Sequence, residues 1–409
     1  MRDQTKPALA PAGGNPATGD KFWGRKDELE RLAERIRNRC HTLIEGHRRI
    51  GKTSLLMEFG NRYKNEFNFI FVDLQDARTV KDAIATLAAN VLCYHSSIYQ
   101  QAAKLFAFLH AQVPDVDLKL QKDGLTVKLK DFLTPGNWKS KGEGVFDLLA
   151  KLDKPTVLCF DEISVFINTL LEVQGEVQEA PRAAAHAEAK QFLFFLRHMS
   201  QRKGKLCMIY CGSIGFTPIL NRTDLSETVN TFDRFSVDLW RDDTAIGCLC
   251  ALANYKNLAY EPSAESILVE QLRYCVPNHV QILSTELHDQ CQRRNSDLIT
   301  HSDVESTLKN LWSGHKGKQE LNRYIKHLQQ IFEPDDFELA ERILTETARN
   351  DMLSDTVFDA FCRQAAIVSN SRVEMVKDCL IDEFYLEKIP GGYRFVMPLL
   401  HQLWQKHYK

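Results

Sequence analysis

His41–Phe59 reads HTLIEGHRRIGKTSLLMEF, and this stretch decides the fold predicted for the chain. Gly46 is followed by four residues and then by Gly51, Lys52 and Thr53, which fits the pattern G-x-x-x-x-G-K-[ST]. A short apolar run precedes the pattern and an amphipathic run follows it. The stretch therefore predicts a strand, a loop and a helix in succession, which is the context that this pattern requires.

The chemistry of this loop favours a bound anion. The glycines let the backbone curl so that successive N–H groups point into one concavity, and the following helix adds the positive end of its dipole. Lys52 is expected to neutralise the β- and γ-phosphates of ATP, and the Thr53 hydroxyl to bind the accompanying Mg²⁺. A chance match of a glycine-rich turn is the alternative, and the character of the flanks counts against it. The loop residues predicted to contact the nucleotide are Gly46, Arg48, Arg49, Ile50, Gly51, Lys52, Thr53 and Ser54.

A second marker of a nucleotide site lies at Pro155 to Glu162, PTVLCFDE. The apolar residues Val157 to Phe160 predict a strand that is buried on both faces and ends abruptly in two carboxylates. Because carboxylates are costly to bury without compensation, both should face a cation or water. Asp161 is expected to hold the Mg²⁺ through water, opposite the loop threonine, and Glu162 to polarise the attacking water. The alternative is a strand that ends in a solvated acidic turn, and the phosphate-loop pattern disfavours it.

Three further residues are candidates for contact with the γ-phosphate. Lys205 to Tyr210 predicts a strand that leads to Ser213, a small polar residue suited to sensing the γ-phosphate or the water, with an ordinary turn as the alternative. Phe235 to Trp240 predicts a short strand, and Arg222 and Arg234 precede it. Arginine is suited to spreading transition-state charge, in its own subunit or in a neighbour. The sequence does not choose between these two arginines, and a plain surface role is the alternative for each.

Composition sets the broad class of protein. With 409 residues and 44% hydrophobic content, the chain can bury a large core in two or three domains. No apolar run approaches the length of a membrane span and no secretory signal is present, so a cytoplasmic location is expected. Eleven cysteines occur without a CxxC pair, which favours buried thiols over disulfides or zinc. The net charge of −2 provides no global attraction to nucleic acid.

The first part of the chain contains several predicted elements besides the phosphate loop. Residues 1–20 are rich in Pro, Ala and Gly and are expected to form a disordered leader. KDELERLAERIRN (26–38) predicts an amphipathic helix, Phe67 to Leu74 a buried strand, and Thr79 to Phe108 a helical region. Val116 to Lys130 alternates apolar and charged residues around Asp123-Gly124, which predicts a β-hairpin insert that serves as a packing lid or an interaction feature.

The second part of the chain is predominantly helical. Thr244 to Trp312 shows helical periodicity without a strand signal and predicts a small helical lid, and residues 313–319, SGHKGKQ, predict a linker. Tyr385 to Pro398 predicts a hairpin. Helices followed by a hairpin are typical of a winged helix. Helices are predicted around Leu321 to Ile331, Phe337 to Ala348, Leu353 to Gln364, Ser371 to Asp382 and Leu399 to His407.

Together these motifs resemble a known group of proteins. KFWGRKDEL (21–29), GHRRIGKTSLL (46–56), VLCFDE (157–162) and a strand ending in Gly-Ser look like the AAA+-like additional-strand P-loop ATPases, specifically the archaeal-type ATPases related to the STAND signalling class. The resemblance implies an α/β fold: a P-loop NTPase core with a parallel sheet at 21–243, a small helical lid at 244–312 and a winged helix at 320–409.

The resemblance also implies roles for residues outside the loop. Phe22, Gly24 and Arg25 are expected near the adenine or ribose. Pro277 matches the family's Gly-x-Pro element, through which the lid senses the nucleotide, although Cys275 stands where the family usually has Gly. Paired arginines within the phosphate loop are common in this group.

Two functions from different classes follow. The first is a slow, switch-like ATPase whose nucleotide state repositions the lid and winged helix to control a partner protein, in defence or regulation. The second is a DNA-associated ATPase of the origin-recognition or transposition-helper type. The expected recognition helix carries Arg372 and Lys377 against Glu374, Asp378 and Asp382, which favours the first. Many STAND sensors carry a long repeat array, and its absence from this sequence weakens the first hypothesis. A nucleotide-dependent homo-oligomer is compatible with either.

Overall fold

The protein forms two compact units. A computed structural model describes residues 7–94, 122–172, 179–202, 204–311, 314–364 and 370–408. The sheet unit comprises Arg25–Glu45 and the described parts of Leu55–Ser236. The helical unit comprises the described parts of Met1–Gly24, Gly46–Ser54 and Val237–Lys409, so it includes the phosphate loop, residues 46–53. In the described residues, no helix is both long and apolar enough to span a membrane.

The sheet unit contains a five-stranded parallel sheet in the order β2-β3-β4-β1-β5. Every residue of the third strand is buried, as its continuous apolar run predicts, because a central parallel strand is covered on both faces. Since all strands run the same way, their carboxyl ends lie at one edge of the sheet. The strands are β1 (His41–Glu45), β2 (Asn68–Asp73), β3 (Thr156–Asp161), β4 (Leu206–Tyr210) and β5 (Phe232–Ser236).

Helices connect these strands, which confirms the predicted α/β class. The first helix follows the predicted periodicity: Leu29, Leu32 and Ile36 are buried on one face and charged residues lie on the other. The helices are α1 (Lys26–Arg37), α2 (Lys52–Arg62), α3 (Val80–Tyr94), α4 (Lys122–Phe132), α5 (Trp138–Leu149), α6 (Ile163–Glu172), α7 (Glu179–Arg202) and α8 (Phe216–Arg222).

The predicted hairpin at 116–130 is wrong in its described part. Residues 116–121 lie outside the described residues, and α4 occupies the rest. Leu125, Leu129 and Leu133 recur every four residues and are buried, whereas Val127 is 61% exposed. The apparent alternation therefore came from an apolar residue on the solvent face of a helix. Residues 95–108 of the predicted helical region also lie outside the described residues.

The strand predicted at Phe235 to Trp240 is displaced. The observed strand β5 ends at Ser236, and Trp240 instead forms an isolated antiparallel bridge with Cys275. The alternation of apolar and polar residues continues from β5 up to the bridge residue Trp240. The sequence pattern therefore did not show where the strand ends.

The N-terminal segment is ordered over residues 7–20, contrary to the predicted disorder of the leader. Leu9 is 2% exposed, and its N–H donates to the carbonyl of Ala251 at 3.0 Å. The Ala12 N–H donates to Gln281 Oε1 at 3.1 Å. Small apolar side chains and satisfied backbone groups fix this segment against the rest of the helical unit, although its composition is typical of a flexible chain.

The region predicted as a lid consists mainly of helices. Two short parallel strands interrupt them, β6 (Ala259–Tyr260) and β7 (Leu298–Ile299), so the expectation of an uninterrupted helical pattern is wrong. Two residues per strand are too few for periodicity to show in the sequence. The helices are α9 (Asp242–Tyr255), α10 (Ala264–Leu272), α11 (Pro277–Arg294) and α12 (His301–Leu311).

The C-terminal segment, residues 314–408, contains helices and a small antiparallel sheet in the order β8-β10-β9. The hairpin is present where predicted. The predicted linker is already helical from His315, and Leu353, predicted to begin a helix, lies in a strand. The elements are α13 (His315–Ile331), α14 (Pro334–Arg349), β8 (Leu353–Ser354), α15 (Asp355–Gln364), α16 (Asn370–Asp382), β9 (Leu386–Ile389), β10 (Gly392–Phe395) and α17 (Pro398–His407).

Candidate phosphate loop and carboxylate cluster

The phosphate loop has the backbone conformation that its glycines allow. Gly46 has φ 152° and Gly51 has φ 94°, and both values lie in the region that favours glycine. A Cβ on Gly46 would lie 2.7 Å from the carbonyl oxygen of Val237, so a side chain cannot be accommodated without a shift of the backbone. Among the described residues, a Cβ on Gly51 would meet only Ser54, at 4.0 Å. The loop thus presents open backbone beside the start of α2, which fits a phosphate.

Lys52 lies across this loop. Its Nζ donates to the carbonyl oxygens of Gly46, at 2.6 Å, and His47, at 3.3 Å, and the residue is only 8% exposed. Lys52 is also the first residue of α2, so its ammonium charge adds to the positive end of the helix dipole. This arrangement holds one cation against the loop.

The remaining residues on the helix side anchor the loop. Ile50 is 1% exposed, and its N–H donates to the His47 carbonyl at 3.2 Å. The Ser54 hydroxyl accepts a hydrogen bond from the Ala17 N–H at 2.9 Å, which ties the N-terminal segment to α2. Thr53 is half-buried in the first turn of α2. A threonine hydroxyl is a hard oxygen ligand of the kind that Mg²⁺ accepts.

The two loop arginines contact helices of the same unit. The Arg48 guanidinium donates to the backbone carbonyl of Arg323 at 3.2 Å. The Arg49 guanidinium donates to Asn278 Oδ1 at 3.1 Å and forms an ion pair with Glu320. These side chains were predicted to line the nucleotide. In this structure they connect the loop to α11 and α13.

His47 is a buried loop residue that the sequence did not single out. Its ring lies 6.4 Å from that of Tyr324 and 5.7 Å from that of Phe384, measured between centroids. Burial, together with the charge of His279, lowers the pKa of His47 to about 3, so its ring is neutral at physiological pH. A neutral ring packs against the aromatic side chains of the C-terminal segment without the cost of a buried charge.

Glu320 is the second buried titratable group beside the loop. Burial alone would raise the pKa of its carboxyl, but His279 and Arg49 outweigh burial and lower the pKa to about 2. The carboxylate is therefore ionised at physiological pH. The sequence provided no signal for this contact because the paired residues are 271 positions apart.

Phe22 and Gly24, predicted near the base or ribose, and Pro277, predicted to sense the nucleotide through the lid, belong to the helical unit. The Trp23 Nε1 donates to the Thr244 carbonyl at 3.0 Å, and a Cβ on Gly24 would lie 3.0 Å from Thr244 Cγ2. Gly24 has φ 65°, which also favours glycine. Phe22 is half-buried. Pro277 occupies the first turn of α11, a position that needs no backbone N–H, and leads directly to Asn278.

Arg25 belongs to the sheet unit. Its guanidinium forms a 2.6 Å ion pair with Glu28, one turn along α1, and the residue is 8% exposed. The backbone of Arg25 caps α1 in the left-handed conformation, with φ 62°. Its described contact thus stabilises the start of that helix.

The carboxylate cluster lies at the carboxyl edge of the sheet. Asp161 is the last residue of β3, is 5% exposed, and accepts a hydrogen bond at Oδ1 from the Glu162 N–H at 3.1 Å. Glu162 Oε2 accepts two hydrogen bonds from Ser213, one from the N–H at 2.8 Å and one from Oγ at 2.9 Å. Glu162 and the predicted sensor Ser213 are therefore brought together. The bonds orient the carboxylate.

The approach of Ser213 depends on the glycine before it. A Cβ on Gly212 would lie 2.0 Å from Ser164 Oγ. That hydroxyl donates to the Ile214 carbonyl at 2.8 Å and holds the turn after β4 against the start of α6. The Gly-Ser motif after β4 thus combines close packing at Gly212 with a donor at Ser213.

The two candidate arginines occupy different elements of the sheet unit. Arg222 is the last residue of α8. Arg234 lies on β5 with its side chain 65% exposed, and its guanidinium is 3.8 Å from Glu45 Oε1. Glu45, at the end of β1, also accepts a hydrogen bond from Thr217 Oγ1 at 3.0 Å. Glu45 and Thr217 were not predicted as part of this edge.

No family model and no curated protein matches this sequence. Among solved structures, the chain is similar to a Walker-type ATPase of Pyrococcus abyssi, with 17% identity and a TM-score of 0.61 over 95% of this chain and 98% of that one. The chain shares that fold. The protein is thus an α/β protein with the fold of a P-loop ATPase, and at this identity the likeness extends to the fold alone.

Two weaker likenesses accompany it. The RuvB Holliday junction branch migration motor of Thermotoga maritima matches with 13% identity and a TM-score of 0.42, over 93% of this chain and 94% of that one. The ORC2 protein of Aeropyrum pernix, in ADPNP–ADP complexes, matches with 12% identity and a TM-score of 0.45, over 96% of both chains. Scores at this level carry no argument about function.

Proposed function

We propose that this protein binds ATP at the phosphate loop, hydrolyses it slowly, and uses the nucleotide state to reposition the lid helices and a C-terminal winged helix that control a partner protein. One observation carries the proposal. The phosphate loop belongs to the same compact unit as those helices, and Arg49 bonds it to Asn278 on α11 and Glu320 on α13. A change in the conformation of the loop would therefore act directly, through these contacts, on the C-terminal segment.

The proposed chemistry assigns each group a task. Lys52 neutralises phosphate charge, the Thr53 hydroxyl would bind Mg²⁺, and Asp161 would hold it through water. Bound Mg²⁺ neutralises charge on the phosphates. Glu162 accepts a proton from the attacking water, whose oxygen bonds to the γ-phosphorus as the bond to the leaving ADP oxygen breaks. Ser213 orients Glu162 through the two hydrogen bonds described above.

The proposed recognition helix, α16, favours a protein partner over DNA because its cations are already engaged. Arg372 pairs with Asp336 of α14. Lys377 is 8% exposed, pairs with Glu374, and lies 5.0 Å above the ring centroid of Phe358. A helix that reads DNA needs cations available for phosphates.

The hairpin is engaged in the same way. Glu387 on β9 accepts hydrogen bonds from Arg394 at 2.7 Å and from Arg273 at 3.1 Å, and the Tyr274 hydroxyl donates to its other oxygen at 2.7 Å. A wing that contacts a DNA backbone needs cations that are available for phosphates, whereas Arg394 is paired with Glu387 within the hairpin. The network also ties the hairpin to the connection between α10 and α11.

The proposal is tested by the rate of ATP hydrolysis, measured with and without double-stranded DNA. A second measurement is the mass of the particle in solution, and hence its oligomeric state, with ADP and with a non-hydrolysable ATP analogue. We expect slow hydrolysis that DNA does not stimulate. Glu162→Gln should retain ATP binding and lower the rate by about two to four orders of magnitude. Absence of nucleotide binding would contradict the proposal, and stimulation by DNA would favour the DNA-associated alternative instead.

A further inference from the structure

Arg49 of the phosphate loop takes no part in the chemical steps proposed above, but its side chain makes contacts with two helices. Arg49 is 22% exposed at its side chain, and its partner Glu320 is 4% exposed. Asn278 accepts a second hydrogen bond from the same guanidinium. Both bonds leave from one guanidinium nitrogen, Nη1, which is thereby directed toward α11 and α13.

Glu320 is fixed independently of Arg49. Arg323, one turn along α13, forms a 2.8 Å ion pair with its second oxygen, and His279 Nε2 lies 3.9 Å from its first oxygen. The His279 ring also hydrogen bonds with the Tyr324 hydroxyl at 3.2 Å. The carboxylate is thus a rigid point to which the loop is attached.

The ion pair with Glu320 helps to hold Arg49 in an unfavourable backbone conformation. Its φ is 66°, in the left-handed region that costs a residue with a Cβ about 1–2 kcal/mol. Such conformations persist where the surroundings over-determine them. If Arg49 were released, its backbone would relax, and the N–H groups of Ile50 and Gly51, next in the chain, would change direction.

We propose that Glu320 is a positioning residue for the phosphate loop, acting through Arg49 to hold the backbone N–H groups in their phosphate-binding arrangement. The inference rests on the proposed nucleotide binding and adds the residue that prepares the site.

A different mechanism makes the opposite prediction for one variant. If Glu320 acted only by its negative charge, Glu320→Gln would leave Arg49 uncompensated and would strengthen binding of an anionic nucleotide. Positioning predicts weaker binding, because a loop that is free to relax must be ordered again on binding.

The test is a double-mutant cycle on the full chain, with the affinity for ADP measured by calorimetry in the presence of Mg²⁺. We expect Arg49→Gln, Glu320→Gln and the double variant each to bind ADP on the order of tenfold more weakly, with the double variant no weaker than the single ones. Arg49→Lys should recover part of the loss. Equal or tighter binding by Glu320→Gln, or single effects that multiply in the double variant, would overturn the inference.

A matched control separates positioning from general stability. Arg372→Gln breaks a comparable ion pair, to Asp336 in the C-terminal segment, and should lower the melting temperature without changing ADP affinity. If it weakens ADP binding as much as Glu320→Gln does, positioning is refuted. Should Glu320→Gln not fold, Arg49→Gln and the charge-free double variant still decide the matter. Failure of the unaltered protein to bind ADP would instead refute the proposed function itself.

Discussion

Ser213 donates two hydrogen bonds to a single oxygen of Glu162, from its backbone N–H at 2.8 Å and from its hydroxyl at 2.9 Å. Two donors on one oxygen fix the direction in which the carboxylate points, and a general base requires such a fixed direction. Glu162 itself has φ 56°, so its backbone is also held in an uncommon conformation. The carboxylate thus has the fixed orientation that the proposed role as a general base requires.

Ser213→Ala should lower kcat for ATP hydrolysis about tenfold without changing nucleotide affinity. The substitution removes the hydroxyl donor and keeps the N–H donor, and a hydrogen bond to a charged group contributes ~1.5–3 kcal/mol. Steady-state kinetics and ADP calorimetry provide the measurement. Ser200→Ala is the matched control, since that hydroxyl donates within α7 to the Arg197 carbonyl at 2.7 Å and should affect kcat little. A fall in affinity for Ser213→Ala would remove it from the proposed role.

Lys52→Ala should abolish detectable nucleotide binding. Its ammonium is the described cation held against the loop, bonded to the carbonyls of Gly46 and His47, and no described contact supplies a substitute there. Equilibrium titration with ADP and Mg²⁺ checks this directly. Unchanged affinity would show that the loop does not hold the phosphates.

Gly46→Ala should destabilise the helical unit by about 1–3 kcal/mol, because a Cβ would meet the Val237 carbonyl at 2.7 Å on a backbone with φ 152°. Thermal melting followed by circular dichroism measures the loss. Gly391→Ala is the control: Gly391 has φ 86°, but no atom of the described residues lies within 4 Å of the position that its Cβ would take, so only the conformational cost applies. If the two variants lose equal stability, the contact between the added Cβ at position 46 and the Val237 carbonyl is relieved without a cost in free energy.

The neutral state of His47 should make stability sensitive to acid. Its pKa is about 3 in the folded protein, mainly because of burial, whereas an unfolded chain titrates near 6.5. Between these values the unfolded state binds the extra proton, so stability is present above pH 6.5 and is lost as the pH falls toward 3. The slope approaches ~1.4 kcal/mol per pH unit.

Urea unfolding at pH 7 and pH 5 measures this effect. The unaltered protein should lose about 1–2 kcal/mol more than His47→Gln over that interval. Because Glu320, with a folded pKa of about 2, loses its stabilising contribution only as the pH falls below about 4.5, the choice of pH 5 keeps the two effects apart. An identical pH dependence in both proteins would contradict the assignment to His47.

Some of the fold follows from local pattern. The strand, loop and helix around Gly46 to Lys52, the buried strand ending at Asp161 and the hairpin of β9 and β10 each carry their signal within about ten residues. The α/β class could therefore be predicted. The predicted hairpin at 116–130 failed because Val127 lies on an exposed helix face, where an apolar residue carries no information about strand alternation.

The sequence by itself predicted which residues hold a phosphate and which acts as a base, because those predictions rest on residue types at short spacing. Only the tertiary structure decided what surrounds them. Glu162 and Ser213 are 51 positions apart, and Arg49 and Glu320 are 271 apart. No periodicity connects such pairs. Glu162 and Ser213 meet because parallel strands bring their carboxyl ends to one edge of the sheet. Arg49 and Glu320 meet because the packing of the helical unit places the phosphate loop beside α13.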